Sequence, residues 1–251
     1  MTEVISWLRM TELDRIGLPD FAERIALAEE EGFTGEPRRY PGYPTWPLPA
    51  IRRRWWPLFD TVLQTRRCHR QIDTTFPAPH TLARLLKASH GVTDEWFRGP
   101  TPSAGGLQAV ELYLVHWQEA WLPKGVYHYD RRGHQLAQLL PTAEQDFWRE
   151  NIPSLSQVAE GAIVWLIIGD GRRVAAKYGE RGERFLLLEA GHLMQNLCLV
   201  STSLCLTTVP LGGCFERPVA RELRLPTGDH VLYAGVCGPV ASVSHQKSRS
   251  G

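Results

Sequence analysis

The sequence lacks the features that mark a membrane protein, a secreted protein or a nucleic-acid-binding protein. Its longest strongly apolar run, residues 162–168, is far shorter than the roughly 20 residues of a membrane-spanning helix. The N-terminus has no basic start followed by an apolar core, so no secretory signal is predicted. Lys and Arg number 28 against 27 Asp and Glu, and this balance argues against a dedicated nucleic-acid binder or a polybasic membrane binder.

Cysteine is also scarce, and the usual short catalytic motifs are missing. The five cysteines are scattered without a C-x-x-C pair, which argues against a disulfide framework or a zinc site and is typical of reduced thiols in a cytoplasmic protein. The sequence contains no G-K-[ST] phosphate loop, no G-x-S-x-G elbow and no H-E-x-x-H zinc motif. The length of 251 residues and the ordinary composition predict a soluble protein of one large domain or two small ones.

The first 57 residues divide into two parts. The spacing of apolar residues over 1–31 predicts a helix. Residues 32–57 carry six prolines, which from Pro37 onward are interleaved with five aromatic side chains, so they can form neither a helix nor a central strand. We predict an extended segment that packs onto the folded body or a partner subunit, because exposed aromatic surface is costly. The alternative is a plain linker.

The rest of the chain predicts an α+β fold. Apolar periodicity indicates helices, strands and short connections in an order that is not a regular βαβ array. The predicted helices are residues 79–88, 142–157, 185–204 and 218–223, and the predicted strands are 110–117, 124–130, 135–140, 162–168 and 230–236.

Four local patterns carry candidate chemistry, each beside a plainer interpretation. Three arginines within residues 66–70 can clamp a phosphate, or form a solvated basic patch. Residues 102–106 and 210–215 are small and glycine-rich, so a flat ligand can approach the backbone, although both also suit a tight turn. Lys177 beside Tyr178 can supply a base and a proton partner, or belong to a mixed-charge surface loop.

The order of these patterns resembles the flavin-dependent nitroreductase superfamily, and within it the SagB-type dehydrogenases, or azoline oxidases. Residues 66–70 match the family's R-R-S-x-R motif, with Cys68 in place of Ser. Residues 98–107 match R-x-x-P-S-A-G-x-L with one extra residue, and residues 125–130 match G-x-Y-x-Y-D. Residues 177–184 match K-Y-G-x-R-x-x-R, and 187–197 match L-x-E-A-G-H-x-x-Q-N-L. The resemblance covers roughly residues 60–240.

The resemblance implies a homodimer with a mostly antiparallel central sheet flanked by helices, and an FMN at each of two shared sites. It divides the chain into an N-terminal helix and extended segment (1–59), the FMN-binding domain (60–240) and a mobile tail (241–251). The catalytic pair it implies is Lys177 and Tyr178. The residues it implies for FMN binding are Arg66, Arg67, Cys68, Arg70, Pro102, Ser103, Ala104, Gly105, Gln195, Asn196, Gly212 and Gly213, with no metal.

Three functions remain open at this stage. The first is an FMN-dependent dehydrogenase that oxidises a peptide-derived azoline-type heterocycle by base-assisted hydride transfer, with oxygen reoxidising the flavin. The second is an NAD(P)H-dependent reductase of nitroaromatics, quinones or enones, because a fold alone does not fix a function. The third is a scaffold without turnover in a biosynthetic complex, whose partner enzyme could dock on residues 32–57. A peptide substrate or a partner enzyme is the binding partner expected besides a second copy of the chain.

Overall fold

A seven-stranded sheet forms the centre of the computed structural model, which describes residues 18–30, 36–51, 58–158 and 161–241. Every pair of neighbouring strands in it is antiparallel. Its order is β1-β4-β3-β2-β5-β7-β6. The strands are β1 Thr45–Pro47, β2 Val110–His116, β3 Gly125–Asp130, β4 Gln135–Leu140, β5 Ile163–Asp170, β6 Leu206–Leu211 and β7 Asp229–Pro239. The predicted α+β fold with an antiparallel sheet flanked by helices is confirmed.

Helices cover the sheet, and one long apolar helix crosses it. They are α1 Leu18–Glu30, α2 Phe59–Thr65, α3 Pro79–His90, α4 Gln145–Asn151, α5 Gly171–Tyr178, α6 Gly182–Ser203 and α7 Glu216–Glu222. Leu186, Leu193 and Leu197 of α6 are fully buried in the main core cluster beneath the helix. No helix in the described ranges is both long enough and apolar enough to cross a bilayer.

The proline-rich segment packs onto the body, as predicted. Trp46 on β1 meets the ring of Tyr127 edge-on at 5.5 Å, and Leu48 is buried. Strand β1 pairs with β4 at the sheet edge, where a proline without an N–H is tolerated. The segment is therefore no linker over residues 36–51. Of the helix predicted over residues 1–31, residues 18–30 are helical, and residues 1–17 lie outside the described residues, as does the tail from residue 242. The domain boundary at 59 stays a prediction.

The region 142–157 differs from the single polar helix that the sequence predicts. Helix α4 ends at Asn151, and a 3₁₀ turn, Pro153–Gln157, follows. Pro153 has no N–H and its ring clashes with the preceding turn, so the α-helix cannot continue through it. Trp148, Ile152 and Leu155 are buried in the second core cluster, so this region has an apolar face.

The buried histidine of β2 makes the fold sensitive to acid. His116 Nε2–H donates to the Pro123 carbonyl at 2.7 Å, and the ring lies 4.4 Å from that of Phe76. Burial lowers the pKa of His116 to about 4. Its Nδ1 has no hydrogen-bond partner among the described residues. The folded protein therefore holds this ring neutral at a pH where an unfolded chain takes up a proton.

Stability should consequently fall as the pH drops from 7 to 4. The unfolded state binds more protons across this range, so the free energy of unfolding rises with pH. His116 alone accounts for about 3 kcal/mol of the change. Urea unfolding at several pH values tests this. His116→Gln, which keeps a donor for Pro123, should flatten the slope, whereas His80→Gln on an exposed histidine should not. Equal slopes in wild type and His116→Gln would contradict the assignment.

Candidate active site

Helix α5 places Lys177 and Tyr178 inside the protein. The helix follows β5 directly, and the Asp170 carboxylate caps its first turn by accepting the Arg173 N–H at 3.1 Å. It ends at Gly179, whose φ of 58° and ψ of −145° suit only glycine. Lys177 is 7% exposed and Tyr178 is 8% exposed. The alternative of a mixed-charge surface loop is therefore wrong for this pair.

The glycine-rich loop at residues 102–106 lies against this pair. Gly105 has a φ of 58°, and a side chain there would overlap the Tyr178 hydroxyl and approach Lys177 Nζ to 3.1 Å. The Tyr178 ring also meets the Phe185 ring edge-on at 4.8 Å. Two motifs more than 70 residues apart in sequence thus converge, with the small residue that close approach requires at the point of contact.

A buried carboxylate on α6 fixes the loop. Ser103 Oγ donates to Glu189 Oε2 at 2.5 Å and accepts the Gln108 N–H at 2.8 Å. Glu189 Oε1 accepts the Val110 N–H at 3.2 Å. Burial raises the pKa of Glu189, against the effect of the Ser103 hydrogen bond. Sequence reasoning assigned Glu189 no role, although a carboxylate in an apolar helix is a signal that it has a specific partner.

Two further α6 side chains hold the end of the same loop that follows helix α3. Asn196 Nδ2 donates to the carbonyls of Ser89 and Pro100 at 3.1 and 3.2 Å. His192 Nδ1 lies 3.1 Å from the Pro102 carbonyl, to which it donates. Asn196 therefore anchors the loop, while the neighbouring Gln195 is exposed.

The arginine cluster lies in the connection after α2. Arg66 is half-buried, and Arg67, Cys68 and Arg70 are exposed. The backbone of this loop is tied to β6, because Thr207 Oγ1 accepts the His69 N–H and donates to the Arg67 carbonyl. Arg67 Nη1 also donates to the carbonyls of Gln64 and Arg66, so the loop has a fixed backbone to which one of its arginines is bonded.

A cleft of about 250 Å³ opens between α6 and the β6–β7 edge. Leu187 and Ala190 line it on one side, and Leu211, Gly212 and Tyr233 line it on the other. Burial raises the pKa of Tyr233, and so do the neighbouring Cys198 and Cys68 thiols. The tyrosine thus lies near the arginine loop. The Gly212 backbone is open, since nothing lies within 4 Å of where a Cβ would stand. The Gly213 N–H donates to Ser154 Oγ.

The predicted site residues fall into two groups, called half-sites below, on opposite sides of α6. Successive helical residues are rotated by about 100°, so Glu189, His192 and Asn196 fall within about 60° of one another. That side holds the loop 102–106 and, through Phe185, the pair Lys177 and Tyr178. Leu187, Ala190 and Cys198 fall on the opposite side, toward the cleft and the arginine loop. A single chain therefore separates the two halves of the site that its sequence predicts.

Comparison with known proteins gives a family for this arrangement. Residues 63–238 match the model of the nitroreductase family. A protein of Methanocaldococcus jannaschii named as a nitroreductase, MJ1384, is 31% identical over 169 residues, which are 66% of this chain and 84% of that protein. The microcin B17-processing protein McbC of Escherichia coli is 28% identical over 156 residues, 58% of this chain and 56% of McbC.

Solved structures share the fold. A nitroreductase-like protein of Ralstonia eutropha JMP134 superposes with a TM-score of 0.69 at 21% identity, covering 82% of this chain and 94% of its own. A chain of the E. coli microcin synthetase McbBCD complex, determined with truncated pro-MccB17 bound, superposes with a TM-score of 0.59 at 20% identity. It covers 92% of this chain and 99% of the synthetase chain.

Proposed function

The chain belongs to the nitroreductase family of oxidoreductases, and we propose that it is an FMN-dependent dehydrogenase of the SagB type that oxidises a peptide-derived azoline-type heterocycle. The observation that carries the proposal is the buried Lys177–Tyr178 pair packed against the Gly105 backbone. The sequence likeness to McbC, which is named as a microcin B17-processing protein, supports the substrate class.

The residues present fit FMN. Arg66, Arg67 and Arg70 offer guanidinium groups of the kind that bind phosphate bidentately. The nearby cleft is lined mainly by apolar side chains, with Glu216 also in its lining, and has an open backbone at Gly212, as a flat ring system requires. Bound FMN supplies the acceptor for a hydride, at its N5 atom. The replacement of Ser by Cys68 removes one hydroxyl donor to the phosphate and leaves the arginines in place.

The chain's own part in the reaction is to move a proton. Lys177 takes the proton from the ring carbon beside the carbonyl, and a hydride leaves the adjacent carbon, so that the C–C single bond becomes a double bond. Tyr178 lies next to Lys177, with Nζ 5.7 Å from the centre of its ring, and completes a site from which water is largely excluded. A positioned base of this kind contributes roughly 10²–10⁴-fold to a rate.

The two half-sites require two copies of the chain. We propose a homodimer in which the arginine loop and cleft of one protomer face the Lys177–Tyr178 pair and the loop 102–106 of its partner. The outer face of α6 suits such an interface. Leu188 is 54% exposed, and Gly191 one turn further along leaves room for a close approach. Gln195 continues the same exposed face. Closed two-fold symmetry would then create two identical sites.

The first test is the colour of the purified protein. We expect flavin absorption bands at about 370 and 450 nm, and FMN released by heat at close to one per chain. Identification of the released pigment distinguishes FMN from other flavins. A folded, colourless protein that does not take up added FMN would contradict the proposal and favour the scaffold function.

A second candidate function is an NAD(P)H-dependent reductase. The observation that favours it is the likeness to MJ1384, which is named as a nitroreductase and matches 66% of this chain. Steady-state consumption of NAD(P)H with a nitroaromatic or quinone separates the two, because the dehydrogenase needs no nicotinamide. If turnover required a partner enzyme or a peptide substrate, the protein would resemble McbC in activity as well as in sequence and fold.

A further inference from the structure

We propose that the N-terminal residues 18–30 and 36–51 brace helix α5, which carries Lys177 and Tyr178, and that Arg38 is a positioning residue for this pair. The inference rests on the proposed function only in that Lys177 and Tyr178 are taken as the catalytic pair. These N-terminal residues lie outside the part of the chain that matches the family model, residues 63–238. They contact α5 at both of its ends.

Arg38 lies between two aspartates at the beginning of α5. Its Nη1 donates to Asp229 Oδ2 at 2.5 Å, and its Nη2 donates to Asp170 Oδ2 at 3.1 Å. The Asp229 side chain is fully buried and the Arg38 side chain nearly so. Although burial opposes the charge, the hydrogen bond to Asp229 and the surrounding carboxylate groups raise the pKa of Arg38. The guanidinium is therefore a fixed positive charge inside the protein.

The sheet needs a cation at this position. Asp170 and Asp229 are direct cross-strand partners in the pairing of β5 with β7. Like charges placed opposite each other destabilise a sheet, and a buried carboxylate without a partner is costly. Arg38 bonds to one oxygen of each, so it converts a repulsive pair into an ion triad. Asp170 also forms an ion pair with Arg173, whose Nη2 lies 3.5 Å from its Oδ2. Within the described ranges, the ion-pair partner of Asp229 is Arg38.

Asp170 connects this triad to the catalytic pair. Its Oδ1 accepts the Arg173 N–H in the first turn of α5, as an N-cap residue does. The helix is only eight residues long, so a change at the cap moves or frays the turn that holds Lys177 and Tyr178. Arg38 therefore acts on these residues through Asp170 and does not touch the reacting atoms.

The same N-terminal segment contacts the other end of the helix. Arg24 of α1 lies close to Gly179, the residue after Tyr178, since a Cβ there would stand 3.4 Å from Arg24 Nε. A cation beside a helix C-terminus is favourable, because the last carbonyls carry partial negative charge. Arg38 and Arg24 thus hold α5 at its first and last turns.

Hydrogen–deuterium exchange of the full-length protein tests the brace without any assay of turnover. In Arg38→Gln, amides of residues 171–181 should exchange at least tenfold faster than in wild type, while those of the β3–β4 hairpin keep their rates. Arg39→Gln is the matched control. Arg39 is the next residue, is 55% exposed and pairs with Asp130 on that hairpin, so 171–181 should keep its wild-type rates.

Two further measurements separate positioning from general stability. If Arg38→Gln does not fold, Arg38→Gln/Asp229→Asn removes the unpaired buried carboxylate together with the arginine, and residues 171–181 should still exchange faster. With the oxidation substrate, kcat should fall about tenfold in these variants and KM should stay unchanged. Wild-type exchange at 171–181, or an equal increase in every segment, overturns the brace. Absence of oxidation by wild type would overturn the proposed function and leave the exchange result intact.

Discussion

Replacing Lys177 with Met should abolish oxidation of the heterocycle while the protein stays yellow. Methionine keeps most of the buried stem, so the substitution removes the amine without opening a large cavity. Loss of a positioned base costs roughly 10²–10⁴-fold, and we expect kcat to fall by at least about 100-fold. The FMN content should not change, because the proposed phosphate contacts come from the arginine loop on the opposite side of α6.

The matched control for this substitution is Lys124→Met. Lys124 is 51% exposed and lies in the connection before β3, and its loss should leave kcat and FMN content as in wild type. Tyr178→Phe should have a smaller effect than Lys177→Met, because it removes a proton partner and leaves the base. Turnover by Lys177→Met within a few fold of wild type would show that Lys177 is not the base. A colourless Lys177→Met protein would show instead that the residue serves cofactor binding.

The antiparallel hairpin and the long helix could be predicted from the sequence because their signals are local. Strand β4 has the predicted bounds, 135–140, and its polar and apolar residues are flanked by Gly133 and Pro141. Helix α6 begins three residues before the predicted start, because its first turn is polar and carries no apolar periodicity. The single helix predicted over 142–157 was wrong, although its signal was local as well: Pro153 excludes a continued helix.

The long-range ion contacts could not be predicted. Arg38 binds Asp170 and Asp229, which are 132 and 191 residues away, and no local pattern links such positions. Strand β1 was missed for a related reason. A three-residue edge strand within a proline-rich segment owes its existence to the partner strand rather than to its own propensity. The opposite placement of the half-sites likewise depends on how α6 is rotated on the sheet, which only tertiary packing determines.

Mixing two inactive variants should restore activity if the site is shared between protomers. One variant is Lys177→Met, whose arginine loop is intact. The other is Arg66→Gln/Arg67→Gln/Arg70→Gln, whose Lys177 and Tyr178 are intact. The arginine variant alone should lose FMN, since each charge-assisted hydrogen bond to phosphate contributes about 1.5–3 kcal/mol. Each homodimer is then inactive for a different reason.

A mixed dimer contains one site with both functional halves and one site with neither. Random exchange of subunits makes about half of the dimers mixed, so the mixture should recover about a quarter of the wild-type activity and bind FMN at the restored sites. Subunits are exchanged by dilution and reconcentration with excess FMN, and differently tagged copies allow the mixed dimer to be purified. If each site lay within one chain, no intact site could form and the mixture would stay inactive. The quarter recovery therefore tests the opposite placement of the two half-sites on α6, independently of which heterocycle the enzyme oxidises.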